Sequence, residues 1–237
     1  TWKGIKINPN NNTSVINYAV IKGGNIGLEI KEANLEINNT KIFNNERIGL
    51  LGTNSHIRGA NIVINNSDLA ALAIEGGDVK FVHSTFANYH NIGQGAGGNY
   101  SLYLGNTTGS SDAPINAPLT NAKFYNCIFY GRSSNAIIFE NNGGAFNHQF
   151  KNNVIRLEFP DEITGIDSSN TLNKDPLFVN PAFGTNDLRI SEGSEVVGTA
   201  NSTYLDPDTF KDIMDFTRPG DNTLNPGAYQ QVYIPTP

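Results

Sequence analysis

Ile37-Asn38-Asn39-Thr40-Lys41-Ile42 decides how this chain is read, because its pattern of apolar residue, asparagine and apolar residue keeps returning. Val15, Asn17 and Val20 stand 22 residues before it, Gly59, Asn61 and Ile64 stand 22 after, and Phe81, His83 and Phe86 stand 22 further on. After longer intervals the pattern resumes at Phe124, Asn126, Phe129 and at Phe150, Asn152, Ile155. Asn17, Asn39, Asn61, His83, Asn126 and Asn152 are thus read as the rungs of one structural ladder.

A second column keeps the same period. Gly4-Ile5-Lys6-Ile7, Gly27-Leu28-Glu29-Ile30, Gly49-Leu50-Leu51-Gly52 and Ala71-Leu72-Ala73-Ile74 are followed by Ser101-Leu102-Tyr103-Leu104 and Ala136-Ile137-Ile138-Phe139. Apolar residues two apart point to the same side of a strand. Short strands in repeats of about 20 to 30 residues mark a solenoid, in which like residues stack about 4.8 Å apart. An asparagine amide donates to one rung and accepts from the other, which suits a buried bend without ladder bonds of its own. An imidazole cannot reproduce both bonds, so His83 is expected to interrupt the ladder as a satisfied, stacked side chain.

These columns resemble the right-handed parallel β-helix proteins of the pectate-lyase-like superfamily. The resemblance implies an all-β, right-handed parallel β-helix, a single-stranded solenoid of about six to seven coils over residues 1–170. Residues 171–237 lose the period. Asp175-Pro176-Leu177-Phe178-Val179, Asp187-Leu188-Arg189-Ile190, Gly193-Ser194, Gly198, Arg218 and Gly227-Ala228-Tyr229 resemble the choice-of-anchor Q segment of secreted bacterial proteins. Gln230 stands where that family usually has an acidic residue, and its Asp-x-Gly-x-x-Arg pattern is reduced to Asp215-Phe216-Thr217-Arg218.

The tail is accordingly expected to cap the solenoid within one structural domain. Phe178, Leu188, Ile190, Val196 and Val197 would cover the core of the last coil, and Arg218 would pair with Asp215. The opening Thr1-Trp2-Lys3-Gly4-Ile5 reads as the middle of a coil, so further N-terminal coils are expected upstream. The resemblance implies a secreted or bacterial cell-surface location, with signal and anchor outside this chain.

Composition narrows the partners. The 237 residues are 38% hydrophobic and 16% charged, with 24 Gly and a net charge of -6, and mean hydropathy is -0.33. This fits a thin core with many polar turns. No basic stripe exists to neutralise phosphates, which argues against nucleic acid. No run of residues is long and apolar enough to span a membrane. The single cysteine, Cys127, is read as a small buried thiol. A monomer is favoured.

Fold alone does not choose a function. Proteins resembling this one include polysaccharide lyases, polygalacturonases, esterases, epimerases and non-catalytic adhesins. A lyase needs a basic group to take the proton and a cation such as Ca²⁺ to neutralise the uronate. Along the second column stand Lys6, Glu29, Leu51, Ala73, Tyr103 and Ile138, then Asn8, Lys31, Thr53, Glu75, Gly105 and Glu140, with no run of bases and no close set of Asp. No catalytic set is recognised. Arg47, His56 and Arg58 form the modest cationic group from which a lyase base would come. Glu75 and Glu140, at equivalent places two coils apart, are candidates to share a cation or a sugar hydroxyl. Ca²⁺ is the one cofactor considered.

Regularity breaks at residues 89–100 and 106–120, which enlarge the fourth coil. Tyr89, His90, Tyr100 and Tyr103 flank the first expansion, and tyrosines there can stack on the apolar faces of sugar rings. The leading expectation is a carbohydrate-binding wall of enlarged loops, with a polysaccharide or glycan as partner. A lyase or glycoside hydrolase acting on an acidic polysaccharide, and a structural adhesin or spacer, remain the alternatives.

Overall fold

The computed structural model describes residues 2–9, 11–90, 98–110, 112–160 and 163–234. The protein is all-β. Its strands run in long parallel sheets, and among the described residues two 3-10 turns stand in the tail, Ser202–Tyr204 and Pro207–Thr209.

Each repeat lays down three straight segments separated by sharp corners. The first face stacks Ile5–Ile7, Ile26–Lys31, the starts of Ile48–Ala60 and Ala70–Val82, then Tyr100–Gly105 and Ile137–Glu140. A second face stacks Thr13–Asn17, Asn34–Asn38, the ends of the same two long strands, Leu119–Tyr125 and Phe146–Lys151. Because the two long strands run through the corner, these faces join as one ten-stranded sheet. The third is a seven-stranded sheet, from Val20–Lys22 through Lys41–Asn45, Val63–Ser67, Thr85–Asn88, Ile128–Gly131 and Val154–Ile155 to Thr171–Leu172. Every pairing in these stacks is parallel, which is consistent with a parallel β-solenoid.

The corners explain the asparagines. Tyr18, Asn39, Asn61, His83, Asn126 and Asn152 turn the chain from second to third face with φ between 46° and 54°. Glu32, Asn54 and Gly76 do the same between first and second faces. Left-handed backbone costs most L-residues about 1–2 kcal/mol, and asparagine less because its short amide can bond locally. The amides also link the rungs: Asn39 donates to Asn17 Oδ1 at 3.1 Å and Asn61 to Asn39 Oδ1 at 3.0 Å.

The first repeat corrects the expected register. Asn17 pairs with Asn38, and Ile16 with Ile37, so the repeat holds 21 residues and its column is Ile16, Tyr18 and Ile21. Val15 and Val20 are 66% and 64% exposed, whereas Ile21 is buried. Val15-Ile16 and Val20-Ile21 are apolar in either phase, so the pattern there does not fix the register. Asn17 joins the hydrogen-bonded chain from one residue before the corner. At the other end the amide bonding passes from the corner residue Asn152 to Asn153, which accepts from the Cys127 amide at 2.8 Å and donates to Phe124 O at 2.9 Å.

Between the faces lies a narrow core. Phe81, Phe124 and Phe150 stack with centroids 5.9 and 4.8 Å apart, and Phe86 stacks on Phe129 at 5.3 Å. Gly59 makes this possible, since a Cβ there would lie 2.5 Å from Phe81 Cδ1. Cys127 is buried in the same core, and burial pushes its thiol up to about 12.

The tail lies along the outward side of the seven-stranded sheet. Leu188, Ala228 and Tyr229 pack on Val63 and Ala87, while Ile190 and Val196 pack on Ile128, Tyr130 and Val154, with Phe178 touching both groups. These side chains therefore cover a flank, not the core of the last coil, and Val197 is exposed. The reason is that the sheet turns an apolar row outward, while Ile163, Ile166 and Leu172 close the core near its end. Asp215 pairs with Lys211 at 2.9 Å, not with Arg218. Arg218 is buried and donates to Asn61 Oδ1 at 2.9 Å and Gly227 O at 3.0 Å. Burial lowers its guanidinium to about 10, against the raising effect of Asp212. Gln230 closes the tail on itself, accepting from the Asn225 amide at 3.0 Å and donating its own to Asp212 Oδ2 at 2.7 Å.

Candidate functional site

The outward side of the first face gathers most of the residues of interest. Because the strands are in register, Leu51, Ala73, Tyr103 and Ile138 form one outward row, and Thr53, Glu75, Gly105 and Glu140 form the next. At the strand starts Ile48, Ala70 and Tyr100 are aligned.

Side-chain size then shapes a hollow of about 270 Å³. Ala70 and Ala73 leave its floor low, while Tyr100 and Tyr103, one rung on, rise beside it. Arg47 and Ile48 line the end where the strands begin, and Glu75 lines the end where they leave the face.

Two carboxylates and a phenol are coupled at that second end. Tyr103 donates its hydroxyl to Glu140 Oε2, and its ring covers Gly105, where a Cβ would lie 3.1 Å from ring atoms. The phenol thus spans the rung between Glu75 and Glu140. Burial, and then the bond to Glu140, push its pKa up. Burial also raises the Glu75 carboxyl, opposed by hydrogen bonds from Thr108 and Thr53 and reinforced by the charge of Glu140. Thr53 Oγ1 lies 3.3 Å from Glu75 Oε2. Glu140 also accepts from Asn142 Nδ2 at 3.1 Å.

Chemically the hollow offers two aromatic walls, carboxylate acceptors at one end and a guanidinium donor at the other. That combination suits a flat ring with apolar faces and hydroxylated edges.

Other expected residues lie elsewhere. Tyr89 packs edge-on against Phe178 with centroids 6.1 Å apart, and burial pushes its phenol up; it is part of the tail contact and not of the hollow. His90 stands 3.6 Å from Asp68 and lines a different depression with Arg132 and Phe183. Residues 91–97 of the first expected loop lie outside the described residues. From the second loop, Thr107–Ser110 and Ala113–Asn116 form an antiparallel hairpin, and Thr108 from its base reaches Glu75.

The cationic group does not assemble. Arg47 lines the first face, whereas His56 and Arg58 follow the left-handed bend at Asn54 onto the second. Arg58 is held by Asp78 at 2.8 Å and lines a separate polar hollow with Glu36, Lys80 and Asp206. His56 is exposed, in register with Asn34 and Asp78.

Among the described residues no group of three or more His, Cys, Asp or Glu comes together. No helix among the described residues is long and apolar enough to cross a membrane. Thr108 was not visible as a site residue because it joins through a hairpin, and the amide of Asn153 was masked by its neighbour Asn152. No protein-family model matches the chain, and neither does any curated protein.

Proposed function

We propose that the chain is a right-handed parallel β-helix of about six or seven coils, of the kind seen in pectate-lyase-like proteins, with a choice-of-anchor Q-type tail as its cap. On this reading it is a secreted or bacterial cell-surface protein that binds carbohydrate. The register of corners and faces supports the architecture. The observation that carries the function is the hollow walled by Tyr100 and Tyr103, with Glu75 at one end and Arg47 at the other.

The reading is tested by screening the purified chain on neutral and anionic polysaccharides, recording retention and ultraviolet absorbance together. Retention without new absorbance supports binding. A chain that acts only as a structural adhesin or spacer leaves both signals flat.

One observation favours catalysis as the second reading. Glu75, held protonated to higher pH by burial, lies two rungs from Glu140 on one face, about 9.6 Å between Cα atoms at ordinary strand spacing. A carboxylic acid and a carboxylate that face one ligand can act as acid and base in glycoside hydrolysis. New reducing ends would indicate such a hydrolase, and growing absorbance from unsaturated uronates a polysaccharide lyase.

A further inference from the structure

The Glu75 end of the hollow carries an unbalanced charge. Glu75, Gly105 and Glu140 are successive members of one outward row, so the rung between the two carboxylates holds only a glycine. Tyr103 covers that glycine and donates its hydroxyl to Glu140. The charges of both glutamates act on the phenol, and that of Glu140 acts on Glu75. On the first rungs of the same face Lys6 pairs with Glu29 at 2.8 Å. Among the described residues, by contrast, no ion pair involves Glu75 or Glu140. Arg47 lines the opposite end of the hollow; from its neighbour Ile48 to Thr53 the strand covers about 17 Å at ordinary rise.

The hydrogen-bonding groups at this end are unbalanced in the same sense. The Tyr103 hydroxyl is committed to Glu140, Asn142 Nδ2 to Glu140 Oε1 and Thr107 Oγ1, and the Thr53 hydroxyl to Glu75. What remains is acceptor capacity, since each carboxylate has about four lone-pair sites and the phenol oxygen also accepts. A ligand seated in the hollow takes water away from these acceptors. Sugar hydroxyls replace part of that hydration but leave two like charges on either side of one phenol. An ammonium supplies three donors, offsets the repulsion between the carboxylates, and is attracted to the face of a tyrosine ring. A ligand carboxylate would instead add a third negative charge at this end.

We infer that the Glu75 end of the hollow is an ammonium subsite, and that the glycan it takes contains a sugar with a free, protonated amino group. The inference rests on the carbohydrate-binding reading and names its ligand class. The amino group lies between Glu75 and Glu140 at the Tyr103 hydroxyl. The ring that bears it lies over Ala70 and Ala73, against Tyr100 and Tyr103. Arg47, at the far end, donates to hydroxyl and ring oxygens, where no ammonium is placed.

Calorimetric titration at about pH 6, above the ordinary carboxylate range, compares three tetrasaccharides. They are β-1,4-linked glucosamine, cellotetraose, which has a hydroxyl in place of each amine, and tetragalacturonate. The glucosamine ligand is expected to bind at least about tenfold more tightly than cellotetraose, the scale of one hydrogen bond between charged groups. The ratio should fall as salt is added. Glu140→Gln and Glu75→Gln, which keep side-chain size and remove charge, should each reduce it to near one. General attraction of a cation to a chain of net charge -6 would instead survive either single substitution, and that result overturns the subsite. Equal affinity for glucosamine and glucose tetramers, or tightest binding of tetragalacturonate, overturns it too, while the glycan-binding reading stands. If none of the three binds, the ammonium subsite is overturned; if the wider polysaccharide screen is also silent, that reading falls with it.

Discussion

Arg218 Nη2 donates to Asn61 Oδ1 across 2.9 Å, although the two residues are 157 positions apart. The bond occupies the acceptor that the next rung of the amide ladder would otherwise use. The following rung is His83, which instead meets Asn126 Nδ2 through Nε2 at 2.9 Å. An amide N–H can only donate there, so Nε2 accepts and the imidazole is neutral with its proton on Nδ1. The ladder is therefore two hydrogen-bonded runs, and the tail's guanidinium stands at their junction.

Arg218→Met should destabilise the fold by about 3 kcal/mol, because it leaves Asn61 and the Gly227 carbonyl without their donor in a buried site. Arg218→Lys should not restore it, since an ammonium lacks the planar fork. Denaturant unfolding of the three proteins checks this, and a loss below about 1 kcal/mol for the methionine variant would contradict it.

His83 makes stability depend on pH. Burial, and then the charge of Arg218, hold its imidazole well below the ordinary range, against the raising effect of the Gly227 and Asn225 carbonyls. The unfolded chain takes a proton near pH 6.5 and the folded chain does not. The stabilisation is thus fully present above about pH 6.5 and declines as pH falls below it, by at most about 1.4 kcal/mol per unit. His148, also lowered by burial, acts in the same direction. The wild type should therefore lose stability between pH 6.5 and 5 more steeply than His83→Asn, by about one proton. Parallel curves would rule out the role given to His83.

Gly59→Ala should cost about 1–3 kcal/mol by overpacking against Phe81. Adding Phe81→Leu should make the glycine change less costly, and a double-mutant cycle without coupling would show that the contact does not limit this site.

Tyr18→Asn should stabilise the protein by about 1 kcal/mol. Tyr18 holds a left-handed corner at φ 53° and is 72% exposed, so the exchange relieves backbone cost and removes little packing. Thermal unfolding at fixed pH reads the change, and a lower midpoint would argue against it.

Much of this architecture was legible because repeats that stack as parallel strands write their contacts into a local period. The columns Ile37-Gly59-Phe81-Phe124-Phe150 and Ile42-Ile64-Phe86-Phe129-Ile155 are aligned as their spacing implied. The first repeat was not legible, since Val15-Ile16 and Val20-Ile21 allow either phase and Asn17 favoured the wrong one. Tail contacts were equally hidden: nothing local in Arg218 points to Asn61, or in Leu188 to Val63. Tyr100, Tyr103, Glu75 and Arg47 could be found from strand register, but the bend at Asn54 separated Arg58 from Arg47. A left-handed residue inside an otherwise continuous strand turns its two halves onto different faces, and an asparagine alone does not announce that.

The central claim is that the face bearing Tyr100 and Tyr103 holds carbohydrate. Its most direct test compares the wild type with Tyr100→Ala/Tyr103→Ala on one glycan array, with thermal midpoints measured in parallel. The account predicts that the wild type retains at least one glycan, and that the double variant binds it at least tenfold more weakly with its midpoint unchanged. Equal retention by both proteins, or no retention by the wild type on any glycan, would contradict it.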